Sequence, residues 1–186
     1  NNVHLTDGRK GGGDVNNSSA TYVHSNAQDG EHTLVGAYTL SEDTATGYTA
    51  NSWSCTGNSV PLNGSTITVK LGENVNCEIT NNDDTPALTL IKKLGETYGS
   101  QATVSDWMLN ATGTLNPPTN LSGKTGTADA TSGSNFKADT YTLGESGPTG
   151  FTASWSCKNN MTGAIAEVTQ PLAIALGQNY TCTVTN

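Results

Sequence analysis

Apolar residues recur at every second position in several short stretches of this chain, and the polar residues between them break any longer period. Ile67, Val69 and Leu71 share one face of the stretch Thr66–Leu71. Val75, Cys77, Ile79 and Asn81 share a face of the next, and Tyr180, Cys182, Val184 and Asn186 repeat that pattern near the end. Leu88, Leu90, Lys92 and Leu94 form another set, with Trp107 and Leu109 on the strand that follows. Tyr141, Leu143 and Glu145 are matched by Tyr38, Leu40 and Glu42. Period-two alternation predicts half-buried β-strands, and no helical period of useful length is present. Gly-Pro, Asn-Gly and Gly-Gly pairs fall between the stretches and predict turns.

The strands come in two copies. Residues 38–55 read YTLSEDTATGYTANSWSC and residues 141–157 read YTLGESGPTGFTASWSC. The first copy closes on CEITN at Asn81 and the second on CTVTN at Asn186. The chain of 186 residues has room for two small domains. The predicted fold is all-β, two small antiparallel β-sandwiches in tandem, immunoglobulin-like or prealbumin-like. The expected division is a first repeat over 1–82, a linker over 83–86 and a second repeat over 87–186. The segment Asn81–Pro86 is short, polar and ends in proline, so it should limit bending.

Each copy holds one cysteine pair, Cys55 with Cys77 and Cys157 with Cys182. Zinc would want closer spacing and nearby histidine. His4, His24 and His32 all lie in the first copy. One disulfide per repeat is the expectation, which places the protein in an oxidising, extracellular or cell-surface setting. Only 13% of residues are charged, and the formal net charge is −8. That balance disfavours nucleic acid and anionic membrane. No apolar run reaches the length of a membrane span. With no signal peptide evident, the chain reads as a mature protein or a fragment of a longer one.

Alternation puts three polar residues, Lys92, Glu145 and Asn186, on the apolar faces of their strands. A buried lysine loses its proton readily, and a buried glutamate retains one. A neutral amine beside a carboxamide, with a carboxyl group to handle the proton, can form an amide and release ammonia. Alternatively, Lys92 snorkels to solvent or makes an ordinary ion pair with Glu145. Lys93 is the rival lysine.

The pattern Y-T-L-x-E-x-x-x-x-G-[YF], preceded by L-T-L-x-K and followed by a strand ending in asparagine, resembles the Cna B-type, or SpaA-type, domain of bacterial surface proteins. The W-S-C…C-x-[IV]-T-N variant is similar to disulfide-containing repeats of large bacterial extracellular proteins. The resemblance covers nearly all of 86–186 and most of 1–85. It implies a prealbumin-like fold and an autocatalytic isopeptide bond made by Lys92, Asn186 and Glu145.

The first repeat departs from that pattern. Val3-His4-Leu5-Thr6 aligns with Trp107-Met108-Leu109-Asn110, which leaves no counterpart of the lysine strand. Glu42 and Asn81 remain as an incomplete set, and Lys10 is a poor substitute. The missing strand lies upstream, comes from another subunit, or is replaced irregularly by residues 1–10.

No enzymatic constellation and no cofactor motif is found. The histidines with Asp7, Asp14 and Asp29 read as solvated loop residues, and Asp83-Asp84 is a weak calcium candidate. Sequons at Asn16, Asn17, Asn63, Asn110, Asn120, Asn160 and Asn179 are expected by chance in so Asn- and Thr-rich a chain. The functional expectation is a structural subunit or segment of an extracellular bacterial fibre, pilus or stalk. Its partners would be copies of itself joined head to tail, or neighbouring repeats of a longer chain. The alternative is an adhesin module for a glycan or protein, with Tyr22, Tyr98 and the turn Asn116-Pro117-Pro118 as its candidate contacts.

Overall fold

In a computed structural model, the described residues are 2–6, 14–16 and 19–21, by backbone alone, and 35–186 except 97 and 169. Thus His24, His32, Asp7, Asp29, Lys10, Asn17 and Tyr22 lie outside the described residues. The chain separates into two compact units, Asn1–Asn82 and Asp83–Asn186. The described residues contain strands and two short 3-10 turns but no α-helix.

The C-terminal unit holds β10 (Ala87–Lys93), β11 (Met108–Gly113), β12 (Leu121–Gly123), β13 (Asp139–Ser146), β14 (Ser154–Asn159), β15 (Ile165–Glu167), β16 (Leu172–Ile174) and β17 (Asn179–Thr185). One sheet runs β10-β17-β14-β15 and the other β12-β11-β13-β16. Leu88, Leu90, Cys182 and Val184 from the first meet Leu109, Ala111, Tyr141 and Leu143 from the second in one buried cluster. Both sheets are therefore apolar on their inner faces and polar outside, which is what period-two alternation demands of a sandwich. Fully burying each such Leu or Val contributes about 1.5–3 kcal/mol.

One strand pair departs from the antiparallel expectation. β10 and β17 run parallel, from Ala87 opposite Asn179 to Lys93 opposite Thr185. Alternation fixes faces but says nothing about direction, so the sequence could not reveal this. The other edge of β10 is covered without a full strand. The Leu88 N–H donates to Ser132 Oγ at 2.9 Å and the Lys92 N–H to Thr125 Oγ1 at 3.1 Å. These hydroxyls satisfy donors that an open sheet edge would expose.

The N-terminal unit holds β1 (Asn2–Thr6), β2 (Asp14–Asn16), β3 (Ser19–Thr21), β4 (Gly36–Glu42), β5 (Tyr48–Ala50), β6 (Ser54–Thr56), β7 (Thr66–Val69), β8 (Asn76–Glu78) and β9 (Asn81–Asp83). Its sheet β2-β1-β4-β7 has the order of β12-β11-β13-β16. Tyr38, Leu40, Ile67 and Val69 from this sheet pack with Val75 and Cys77. A second sheet runs β3-β8-β6, and β5 pairs with β9.

Three sequence expectations need correction. Val3 pairs with Glu42, and Leu109 pairs with Glu145. Val3 therefore corresponds to Leu109, not Trp107, a slip of two residues that alternation cannot detect because it preserves faces. Leu71 is 76% exposed rather than buried. The strand stops at Val69, and the chain reverses through Gly72, whose φ of +82° is left-handed. Third, β3 lies antiparallel against β8, with Ala20 opposite Cys77. That is the sheet position which β10 fills, in parallel, beside Cys182 in the other unit.

Candidate cross-link site

Cys55 stands directly opposite Cys77 in the ladder, and Cys157 directly opposite Cys182. Both pairs are disulfide-bonded, and no described cysteine is free. In each unit the bridge ties the strand after Trp-Ser to the strand that closes the repeat.

Lys92 sits near the end of β10 with a side chain 0% exposed. Alternation aims it into the sandwich between Leu90 and Leu94, while Lys93, the rival, is exposed. Its Nζ lies 2.8 Å from Glu145 Oε2 on β13. Thus a strand of one sheet delivers the amine and a strand of the facing sheet delivers the carboxylate. The snorkelling alternative is excluded by burial, since the ammonium end itself is inside.

The third residue follows from the parallel pairing. Lys92 lies opposite Val184, and Asn186 is two residues further on the same face of the chain. The Asn186 N–H donates to the Lys93 carbonyl at 3.2 Å, and the Asn186 carbonyl accepts from the Gly95 N–H at 2.6 Å. These bonds hold the last residue beside the end of β10. The Asn186 Oδ1 is buried and has no hydrogen-bond partner. A buried carbonyl without a donor is costly. The site therefore comprises a buried amine, a carboxylate 11% exposed and, at the end of the adjacent strand, a buried carboxamide oxygen with unused accepting capacity.

Sequence reasoning did not assign a role to Trp107. Its ring centroid lies 4.6 Å from Lys92 Nζ, a cation–π distance. Phe151 packs edge-on against the indole, with centroids 5.1 Å apart. The indication in the sequence was a large aromatic at the mouth of the strand that faces Lys92.

In the N-terminal unit, Glu42 and Asn81 meet directly, with Asn81 Nδ2 donating to Glu42 Oε1 at 2.6 Å. They line a cavity of about 170 Å³ with Thr44, Tyr48 and Ile79. No lysine is among its described lining residues. Among the described residues no cluster of three or more metal-binding side chains occurs.

A duplicated β-sandwich with this arrangement defines a prealbumin-like repeat protein. The prealbumin-like fold domain family SpaA_2 matches twice, over residues 6–79 and 83–184, and the chain belongs to that family. Among solved structures, the chain is similar to the major pilin T3.2 of Streptococcus pyogenes at 14% identity and TM-score 0.44, with 81% of this chain and 65% of that one covered. It is likewise similar to the T-13 major pilin of the same organism at 12% identity and TM-score 0.42, with coverage of 83% and 68%. The chain thus spans about two thirds of the length of these pilins. No curated protein matches it.

Proposed function

We propose that this chain is a structural segment of an extracellular bacterial fibre or pilus, its C-terminal unit closed by an amide between Lys92 and Asn186. The observation that carries this reading is the Lys92–Glu145 pair, at 2.8 Å with the lysine side chain wholly buried. A buried ion pair is a weak stabiliser, because desolvation offsets its Coulomb energy. Lys92 beside Asn186 therefore makes chemical sense as a reacting pair. Lys92 passes a proton to Glu145, and the neutral Nζ attacks Cγ of Asn186. A C–N bond forms, Nζ gives a second proton to Nδ2, the Cγ–Nδ2 bond breaks, and ammonia leaves while Glu145 keeps the first proton. The product is a neutral amide in place of a buried charge.

The tandem units, the disulfides and the low charge support an extracellular, load-bearing role. No helix of the described residues is long and apolar enough to cross a membrane. Partners are copies of the chain arranged head to tail, or neighbouring repeats.

Intact-mass measurement on reduced protein tests the bond, which lowers the mass by about 17 Da through loss of ammonia. Glu145→Ala restores the full mass. A wild-type chain of unreduced mass would remove the amide. Electron microscopy of native material tests the fibre, and isolated globular particles would count against it.

A further inference from the structure

We infer that Trp107 is a positioning residue for this amide, acting as the dry wall that holds Lys92 Nζ, and that Gly147 exists to admit it. The inference rests on the amide reading above and deepens it. Lys92 Nζ has Glu145 Oε2 on one side at 2.8 Å and the Trp107 ring on another at 4.6 Å. Trp107 is itself 2% exposed and braced by Phe151. The face of the ring attracts the ammonium and holds Nζ in place before reaction. The bulk of the ring also removes the water that would keep amine and carboxyl charged. Held between the Glu145 carboxylate and the indole, Nζ has few other positions to occupy before it reacts with Asn186.

Gly147 supplies the room. A Cβ at this position would lie 2.5 Å from Cδ1 and 2.7 Å from Cγ of Trp107, well inside contact distance. Any side chain there pushes the indole off its seat.

The N-terminal unit is an internal control. Counting from Glu42 and Glu145, Thr44 stands where Gly147 does, and Tyr48 where Phe151 does. The corresponding space beside Glu42 and Asn81 is the cavity of about 170 Å³. The clearance glycine therefore occurs in the copy that holds Lys92 and Trp107, and a threonine at the corresponding place in the other.

The test follows the loss of about 17 Da in the full chain over time and pH. It compares wild type, Trp107→Phe, Trp107→Ala and Gly147→Ala, with thermal melts to check folding. Trp107→Phe keeps an aromatic wall and should link like wild type. Trp107→Ala should be isolated largely unlinked and link at least tenfold more slowly at neutral pH. Gly147→Ala should slow linking without hollowing the core, which keeps the test alive should Trp107→Ala fail to fold. Full linkage at the wild-type rate in both alanine variants would overturn the inference, as would equal slowing by Trp107→Phe and Trp107→Ala. A wild-type chain without the mass loss would overturn the amide itself and this role with it.

Discussion

The side-chain amide of Gln170 completes the sheet ladder beside Leu143. The Leu143 N–H donates to Gln170 Oε1 at 2.7 Å, and Gln170 Nε2 donates to the Leu143 carbonyl at 2.8 Å. One residue of β13 is thus satisfied by a side chain just before β16 begins. In the N-terminal unit the corresponding Leu40 N–H donates to the Ser65 carbonyl at 2.7 Å, a backbone solution to the same need. Gln170→Ala would orphan a donor and an acceptor beside the core. A loss of about 1–3 kcal/mol is expected, measured by denaturant unfolding. An unchanged midpoint would mean that water replaces the amide at no cost.

The disulfides should contribute independently in each unit. They close loops with sequence separations of 22 and 25. On the chain-entropy model each contributes about 3 kcal/mol. The double variant Cys157→Ala/Cys182→Ala should lower the unfolding free energy of the C-terminal unit by about that amount and leave the N-terminal transition in place. Non-reducing peptide mapping should recover Cys55–Cys77 and Cys157–Cys182 peptides, and none that cross between units.

Mechanical response should reveal the parallel pair. β10 opens the C-terminal unit and β17 closes it, and the two run side by side in one direction. An amide from Lys92 to Asn186 would carry tension straight from the first strand to the last residue, leaving the chain between them unloaded. Single-molecule stretching through the two termini should show no release of the C-terminal unit in wild type. Glu145→Ala should add a release of tens of nanometres, at about 3.5 Å per freed residue. A wild-type release of that size would contradict the closed ring.

Acid should loosen one loop of the C-terminal unit. Burial pushes the Asp139 carboxyl up, but hydrogen bonds from Thr114 Oγ1 and from the N–H groups of Leu115, Thr140 and Thr114 outweigh it and hold it below its ordinary value. Those contacts measure 2.6 Å to Thr114 Oγ1 and 2.7 Å to the Thr114 N–H. A lowered folded pKa means stability present above the unfolded value, about 3.9, and lost as pH falls through the folded one. Wild type should melt above Asp139→Asn at pH 6, and the gap should narrow as pH falls below the unfolded value of about 3.9. Because Asp139 is largely solvent-accessible, a shift of only a few degrees is expected. A gap independent of pH would assign the effect to shape rather than charge.

Much of this protein was legible in the sequence. Alternation placed Leu88, Leu90, Tyr141 and Val184 inside, because a strand with one wet face has no other arrangement. It singled out Lys92, Glu145 and Asn186 because polar residues at apolar positions are conspicuous. Duplication paired the cysteines, since equivalent positions in a repeated module make equivalent bonds. What alternation could not decide is whatever has the same period as itself. A shift of two residues leaves every face unchanged, so Val3 aligned as well with Trp107 as with Leu109. Strand direction leaves faces unchanged too, so only the assembled sheet showed β10 parallel to β17 and Asn186 beside the end of β10. The contacts of Trp107 with Lys92, of Gly147 with Trp107 and of Gln170 with Leu143 join residues 15 to 40 positions apart or so, across loops of no fixed pattern. Those meetings are made by packing two sheets against each other, and no local period in the chain records them.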